Sequence, residues 1–368
     1  MKYFILVFLL CFTSCMTETE SLSSNALSAD YNHAKQSGVI NSDVKYIPLE
    51  TTPSSLIASI DKFLYNDNTG LLYILDKEQG CILVFNKEGK FVSSIKKSGE
   101  GPGEYVKLID MDVDKNGNIY VADNERMQII MYEKGNVEHY KMIQMNEHFE
   151  EFCCLNDHLF VLRDVYGPKR RKMKLALFDS NNMKIKPLLT DTQKEIDELS
   201  ILKCSKNYLY RSNNHIYYND RYTPMIYSID KNGSLHEAMQ IVSDKYIPYS
   251  ELKKMENNVP NFIQDNKHIK DLISIYETDS LFMCMPYITP SDEYMFIPKS
   301  DASKSFRARL TSQPKLSGIS LPVIGVINNY FVALMNSSEA NNKLTAKVDD
   351  NPILVLFTVT GKEKVTIK

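Results

Sequence analysis

Short apolar runs recur along the chain, and polar turn residues separate them. Each of six units has one run of aromatic and β-branched residues, then a second run that ends near Asn, Asp or Gly. This pattern is typical of β-strands joined by hairpins. The first runs are marked by six aromatic residues that lie 40 to 65 positions apart: Tyr73, Tyr120, Phe160, Tyr217, Phe282 and Phe331.

Repeats of this length, with about four strands each, are typical of β-propellers. One four-stranded sheet cannot bury both of its faces, so successive sheets must stack around a channel and share a core. The segment Val44–Glu50 precedes the first unit, and we expect it to add an outer strand to the last blade. The sequence therefore predicts an all-β fold over residues 44–368, a six-bladed β-propeller with four-stranded antiparallel blades.

The longest spacing between units contains a helical pattern at residues 248–272. Ser250 can cap a helix on which Leu252, Met255 and Val259 fall near one face, and Pro260 should end or kink that helix. We predict a small helical insertion on one rim of the ring. It is either a space-filling elaboration or a lid or docking ridge for a partner.

Composition narrows the function. The chain has 368 residues and a formal net charge of −3. It lacks the excess of basic residues that is typical of nucleic-acid-binding proteins, so we predict no nucleic-acid partner. Its seven cysteines include no CxxC pair, which argues against a zinc site, and we predict no metal and no cofactor. Cys81 and Cys153 lie in apolar runs and are expected to be buried thiols.

The first residues are typical of an export signal. Lys2 precedes the apolar run Tyr3–Phe12, which is too short to span a membrane, and Thr13-Ser14-Cys15 resembles a bacterial lipobox. We predict a signal peptide at 1–14, lipidation of Cys15, and a flexible tether at 15–43. The alternative is an ordinary secretory signal cut near Ser14. Membrane contact is expected through the lipid anchor only.

Two adjacent motifs resemble a known family. The loop Ser98–Tyr105 (SGEGPGEY) and the segment Met111–Asp123 resemble an NHL-type repeat. Together with Ile47–Glu50 and the leader, they resemble the six-bladed propeller lipoproteins of Bacteroidota, an NHL- or TolB-like family. The resemblance implies the fold and an address in the cell envelope, which we predict to be the outer membrane or the periplasm. Glu18 and Glu20, just after Cys15, resemble the acidic surface-export signal of Bacteroidota lipoproteins, so the cell surface is a further alternative. Most members have no established activity, so it implies no catalytic residue.

The segment Asp112–Asp123 places oxygen-bearing side chains at the spacing of a calcium-binding EF-hand loop. Its last position is Asp instead of the usual Glu, and its second half is a strand pattern. Similar turns at Asn86–Gly89 and Asp230–Gly233 carry no series of acids. We therefore predict a plain hairpin turn.

Two other motifs have ordinary explanations. The glycines of Ser98–Tyr105 are not followed by the Gly-Lys-Ser/Thr of a phosphate loop, so we predict a blade-linking turn with positive φ, with Glu104 and Tyr105 at the channel mouth. The basic run Lys169–Lys172 is expected to cover a solvated loop. The alternative is that this basic run binds an anionic polymer or a lipid headgroup.

Catalytic signatures such as HExxH and GxSxG are absent from the sequence. Propeller ligands usually bind at a channel mouth, on loops that join the second and third strands. Arg and Tyr, which are frequent at binding hot spots, occur there. The alternative is that these are scattered rim residues. The candidate ligand-binding residues are Arg126, Arg163, Tyr166, Arg221 and Tyr222.

These patterns predict a non-enzymatic lipoprotein of the bacterial envelope that binds a protein partner or a glycan or peptide ligand. The alternative is a propeller enzyme, a lyase or hydrolase, that acts on a glycan or peptide at the channel mouth.

Overall fold

The computed structural model describes residues 26–41, 43–166, 172–190, 205–212, 215–220, 223–255, 259–288, 292–340 and 350–361. In this part of the chain the strands are, in chain order, β1 Leu27–Asp30, β2 Lys35–Gln36, β3 Gly38–Ile40, β4 Lys45–Pro48, β5 Lys62–Asn66, β6 Leu71–Asp76, β7 Cys81–Asn86, β8 Phe91–Ile95, β9 Leu108–Val113, β10 Ile119–Asp123, β11 Gln128–Tyr132, β12 Tyr140–Gln144, β13 Glu151–Cys154, β14 Leu159–Tyr166, β15 Lys172–Asp179, β16 Lys184–Thr190, β17 Leu209–Arg211, β18 Ile216–Asn219, β19 Met225–Ile229, β20 Leu235–Val242, β21 Leu272–Glu277, β22 Leu281–Pro286, β23 Glu293–Pro298, β24 Phe306–Arg309, β25 Ile319–Ile327, β26 Tyr330–Met335, β27 Ile353–Phe357 and β28 Val359–Gly361.

The strands form six antiparallel blades around an axis. Blades 1 to 5 are β5–β8, β9–β12, β13–β16, β17–β20 and β21–β24, and blade 6 is β25–β27 with β4. The inner strands β5, β9, β13, β17, β21 and β25 contact one another in that order, and β25 contacts β5, so the ring is closed. All six aromatic marker residues of the sequence pattern lie in second strands, and the predicted six-bladed propeller is confirmed.

The ring is closed by strand β4, from the start of the chain. β4 pairs with β27 in antiparallel register, with Ile47 opposite Leu354, so blade 6 takes its outer strand from the start of the chain. Leu49, just after β4, is buried in the cluster shared by blades 6 and 1. The predicted closing strand is confirmed.

The segment before β4 is more ordered than predicted. β1 pairs in parallel with β20, β2 in parallel with β24, and β3 with β28. Ala29, Tyr31 and Ala34 are buried there, because they cover the outer strands of blades 4 and 5. The prediction of a flexible tether up to residue 43 is therefore wrong for Leu27–Ile40. The predicted signal peptide, Cys15 and residues 16–25 lie outside the described residues.

The core lies between the blades. Six hydrophobic clusters are found in the described residues, and each joins two adjacent blades. Between blades 2 and 3, for example, the rings of Tyr120 and Phe160 meet edge to face at 5.9 Å. Cys81 and Cys153 are buried as predicted, and burial raises the pKa of their thiols to about 11 and about 12. Thiols with such a raised pKa are poor nucleophiles at neutral pH.

Helices are short and few among the described residues. α1 Tyr249–Met255 and α2 Val259–Gln264 form the predicted insertion between blades 4 and 5, and α3 is Ser337–Ala340. Leu252 is buried. Pro260 lies in the first turn of α2, where its missing N–H breaks no helical bond, so it begins a second helix. Among the described residues, no helix is both long and apolar enough to cross a membrane.

Candidate ligand-binding channel

The axis of the ring holds a cavity of about 860 Å³. Its two ends differ in what surrounds them. We call the end with the blade links and the second-to-third-strand loops the linker mouth, and the end with the first-to-second-strand turns the turn mouth. Apolar and aromatic residues form the wall between the mouths, among them Phe63, Leu64, Tyr65, Ile273, Tyr276, Val323, Ile324 and Val326.

On the side of blades 2 and 3, buried charges fill the axis. Lys62 of β5 donates from Nζ to Asp110 Oδ1 of β9 at 2.9 Å, and Asp110 Oδ2 accepts the N–H of Phe152 at 2.9 Å. Burial lowers the pKa of Lys62, but the combined attraction of Asp110 and of other nearby groups such as Asp112 and Glu151 outweighs burial, and the pKa lies above its ordinary value. The ammonium therefore stays charged and joins blades 1, 2 and 3.

Arg211, the last residue of β17, forms a second bridge nearer the turn mouth. Its Nε donates to Asp112 Oδ1 at 3.0 Å, and its Nη2 contacts Asp112 and the carbonyl oxygen of Cys154. Burial raises the pKa of Asp112, but the guanidinium outweighs burial and holds that pKa below its usual value. Arg211 thus connects blade 4 with blades 3 and 2. It also lines the cavity.

Arg163, a predicted binding residue, belongs to a third buried group. Its Nε donates to Glu151 Oε2 at 2.7 Å, and its other nitrogens pair with Glu150 and Asp164. Glu151 also accepts the N–H of Tyr208 at 3.0 Å, which joins blade 3 to the segment before blade 4. The side chain of Arg163 is only 4% exposed. In this structure it is a structural cation that holds blades together.

Two other predicted site residues, Arg126 and Tyr166, lie at the rim of the linker end. Arg126 follows β10 and donates from Nη1 to the carbonyl oxygen of Glu100 at 2.7 Å. Tyr166 is the last residue of β14 and is 39% exposed. These two and Arg163 share one end of the ring, but none of the three lines the axial cavity. Arg221 and Tyr222 lie outside the described residues. Ligand binding by this set stays a prediction.

The Ser98–Tyr105 loop links blades 1 and 2, as predicted, but it does not face the channel. Tyr105 is buried, and its hydroxyl donates to the carbonyl oxygen of Gly80 at 2.8 Å. The carboxylate of Glu104 folds back to accept the N–H of Gly101 at 2.8 Å. Of the three glycines in the loop, only Gly103 has positive φ. The expectation that Glu104 and Tyr105 lie at the channel mouth is therefore wrong.

The calcium-like segment forms the predicted hairpin turn between β9 and β10. Asp114 Oδ1 accepts the backbone N–H groups of Asn116 and Asn118, and Gly117 has φ +85°. Asp123, at the far end of β10, accepts the N–H of Val106 instead. No group of three or more His, Cys, Asp or Glu side chains with metal-binding proximity occurs in the described residues. The basic run Lys169–Lys172 has only Lys172 described, at the start of β15.

A short segment crosses the linker mouth. Before β17, Lys206 donates from Nζ to Asp61 Oδ1 at 3.0 Å, and Asn207 Nδ2 donates to the carbonyl oxygen of Asp61 at 2.8 Å. Asp61 belongs to blade 1, which lies opposite blade 4 in a ring of six. Residues 205–207 therefore reach across the axis, and we call them the strap.

The turn mouth is surrounded by polar side chains of four blades. Asn66 Nδ2 donates to the carbonyl oxygen of Asp114 at 2.6 Å, and Asn68 Nδ2 donates to that of Lys115 at 2.9 Å. Asn329 Oδ1 accepts the N–H of Asp279 at 2.9 Å. We call the asparagines of this mouth, which come from blades 1 and 6, the amide rim; its members are Asn66, Asn68, Asn328 and Asn329.

Glu277 is one of the charged residues at the turn mouth. Its carboxylate pairs with Lys299 and accepts the hydroxyl hydrogens of Ser212 at 2.5 Å and of Tyr217 at 3.0 Å. Burial raises the pKa of Glu277, but these donors outweigh burial and hold it below its ordinary value. The carboxylate is therefore a fixed anion with a fixed partner.

The amide rim and the strap were missed at the sequence level. The repeat pattern located the second and third strands, whereas the cavity is lined mainly by first strands and the turns that follow them. The Asn-Asp-Asn run at 66–68 and the Asn-Asn pair at 328–329 were available signals. They are also ordinary turn sequences, and only their position around one axis sets them apart.

Six blades, a closing early strand and a polar-ended axial cavity define the class of this protein, a six-bladed β-propeller. The chain belongs to the family described as a domain of unknown function, DUF4934, which matches residues 27–358. No curated protein matches the chain.

Two solved structures are similar. One is a Bacteroides fragilis protein whose description proposes that it is exported; it has 18% identity and a TM-score of 0.73, over 92% of this chain and 100% of that one. The other is a member of the DUF4221 family from Bacteroides vulgatus, with 10% identity and a TM-score of 0.57, over 89% of this chain and 100% of that one. At these identities the likeness shows the fold alone. Assignment to an NHL- or TolB-like family stays a prediction.

Proposed function

We propose that this protein is a non-enzymatic binding protein of the bacterial cell envelope and that its axial cavity holds a small ligand. The main support for this proposal is the size and the lining of the cavity. Ligand sites are typically concave, mostly apolar, about 300–1,000 Å³ in volume, and supplied with a few polar groups that orient the ligand. A cavity of about 860 Å³ with an aliphatic and aromatic wall and polar ends has these properties.

Two carboxylates that line the cavity, Asp61 and Glu277, support binding more than catalysis. A general acid or base works best with a pKa near the operating pH. Burial raises the pKa of Asp61, but hydrogen bonds from Ser59, Lys77 and Lys206 outweigh it, and the pKa lies below its ordinary value. The same is true of Glu277. Both groups are permanent anions at neutral pH, which disfavours the lyase or hydrolase alternative.

The envelope address rests on the leader and on fold likeness to a protein described as exported. The proposed anchor is an acyl group on Cys15, in a sequence that resembles a lipobox. In the native host, Cys15→Ser should move the protein from the membrane fraction to the soluble fraction of the envelope. Retention of this variant in the membrane would contradict the anchor and would leave the binding proposal intact.

The binding proposal is tested by what the cavity carries. Protein purified from native membranes is extracted with organic solvent, and the small molecules are compared by mass spectrometry between the wild type and Val326→Trp. Val326 is a half-buried residue of the cavity wall, so a tryptophan there should fill the cavity and displace the ligand. The matched control is Val92→Trp, on the exposed outer strand of blade 1.

We expect at least one molecule to be present in the wild type and in Val92→Trp and to be lost from Val326→Trp. Thermal unfolding by circular dichroism confirms that the three proteins are folded. The same set of bound molecules in all three would overturn the proposal.

A further inference from the structure

In the described residues, the two ends of the axial cavity differ in how accessible they are to a ligand. At the linker mouth the strap lies across the axis, and both Lys206 and Asn207 bind Asp61. At the turn mouth Asp67, Asn68, Asn328 and Asn329 are exposed and also line the cavity. A ligand should therefore pass the amide rim, on the opposite side of the ring from the predicted linker-end residues.

Most charged side chains of the cavity already have partners within the protein. Eight of the charged side chains along it form four ion pairs: Lys206–Asp61, Lys62–Asp110, Arg211–Asp112 and Lys299–Glu277. Asp279, which also lines the cavity, accepts a hydrogen bond from the side-chain amide of Asn329. Asp114 is held by the backbone of its own turn. Asp67 and Lys115, of opposite sign, are exposed on neighbouring turns. An ionised ligand would lose its hydration and gain only exposed counter-charges that solvent screens, so a neutral ligand is favoured.

The polar groups that remain suit hydroxyl groups. A carboxamide carries two N–H donors and an acceptor oxygen, and a hydroxyl is likewise both donor and acceptor. The exposed amides of Asn68, Asn328 and Asn329 lie at the turn mouth, and Tyr65, whose hydroxyl interacts with Asn328, lies in the wall behind them. Tyrosine offers an apolar ring face with a polar tip. Amides beside a tyrosine face can bind both the hydroxyl edge and the C–H face of a sugar ring.

We propose that the ligand is a neutral, hydroxyl-rich molecule, a short uncharged oligosaccharide, that enters at the turn mouth and is held by the amide rim and Tyr65. This inference rests on the proposed binding function and names its ligand class. The rim orients the hydroxyl groups, and the tyrosine ring packs against one sugar face.

The test is isothermal titration calorimetry of the folded protein with stated probes. They are neutral trisaccharides of glucose, mannose, xylose and N-acetylglucosamine, the trisaccharide of galacturonic acid as an anionic probe, and trialanine as a peptide probe. We expect a neutral trisaccharide to bind with a Kd that changes less than about twofold between 50 and 500 mM NaCl, because a neutral ligand has no charge for salt to screen.

Variants locate the site. Tyr65→Ala and Asn68→Ala should each weaken saccharide binding at least tenfold, whereas Tyr65→Phe, which keeps the ring, should stay within threefold. Tyr140→Ala is the matched control, because Tyr140 is an exposed tyrosine on the outer strand of blade 2. Thermal unfolding of each variant shows that it is folded. If Tyr65→Ala fails to fold, the comparison of Asn68→Ala with Tyr140→Ala decides.

Three outcomes would overturn the ligand class. They are binding of the anionic trisaccharide or trialanine without any neutral saccharide, saccharide binding that survives both Tyr65→Ala and Asn68→Ala, and no binding of any probe. None of them decides the proposed function, which the Val326→Trp extraction tests separately.

Discussion

At the residue scale, single carboxylates on the inner strands join neighbouring blades. Asp110 and Asp112 of blade 2 accept the N–H groups of Phe152 and Cys154 in blade 3. Glu151 of blade 3 repeats the arrangement with the segment that leads into blade 4. Inner strands have an unpaired edge toward the axis, and a buried backbone N–H needs an acceptor. These carboxylates satisfy that need, and each in turn requires a buried cation.

Lys62→Met tests this requirement. The substitution keeps most of the side-chain volume but leaves the carboxylate of Asp110 buried without its cation, and we expect the free energy of unfolding at pH 7 to fall by about 3–5 kcal/mol. The control is Lys90→Met, which removes the exposed partner of Glu50 and should cost no more than about 1 kcal/mol. Urea denaturation measures both. Similar losses in the two variants would show that the axial pair adds no more than a surface pair.

At the element scale, one type of tight turn recurs in several blades. Asn86, Asp114 and Asp230 each begin a turn by accepting backbone N–H groups two and four residues ahead. The glycine three residues after each of them has φ between +80° and +85°. Side chains of Asn and Asp favour such turns, and glycine adopts positive φ without strain. The turn after Asn86 also contacts the closing strand β4.

Gly89→Ala should show this contact, with Gly70→Ala as its matched control. Both glycines have positive φ, but a Cβ at Gly70 meets no atom within 4 Å, whereas one at Gly89 would lie 2.2 Å from the carbonyl oxygen of Pro48. We expect Gly70→Ala to lower the free energy of unfolding by about 1–2 kcal/mol through backbone strain alone. Gly89→Ala should lose about 1–3 kcal/mol more, because β4 must move. Equal losses by urea denaturation would contradict the contact.

At the scale of the whole molecule, the ring depends on strands that are far apart in the chain. β4 completes blade 6, while β1 and β2 only cover the outer edges of blades 4 and 5. Closure removes an exposed strand edge and completes the core between blades 6 and 1. The two roles predict different consequences when the early part of the chain is removed.

A chain that starts at residue 43 should keep the oligomeric state of the wild type and unfold cooperatively at a lower temperature, because it loses β1–β3 and keeps β4. A chain that starts at residue 51 should lose cooperative unfolding and aggregate, because β27 becomes an open edge. Size-exclusion chromatography and thermal circular dichroism compare the two. A chain from residue 51 that keeps the oligomeric state of the wild type and unfolds cooperatively would show that closure does not need β4.

The sequence alone determined the local features of the fold. Aromatic and β-branched runs bounded by Asn, Asp and Gly located the second and third strands of all six blades, because these runs are buried whatever their neighbours are. The closing strand, the helical insertion and the hairpin at Asp114 were predicted for similar local reasons. The strands within Leu27–Ile40 were not predicted, because the few apolar residues of this segment are buried only where they contact the edges of blades 4 and 5.

Only the tertiary structure decided the candidate site. Lys62 and Asp110 are 48 residues apart, Arg211 and Asp112 are 99 apart, and Lys206 and Asp61 are 145 apart. A charged residue is predicted to lie on the surface unless its partner is known. The sequence alone therefore could not predict the buried ion pairs or the strap. Arg163 looked like a free cation at the rim for the same reason. The closed ring brings these residues to one axis and leaves neutral amides at the open end.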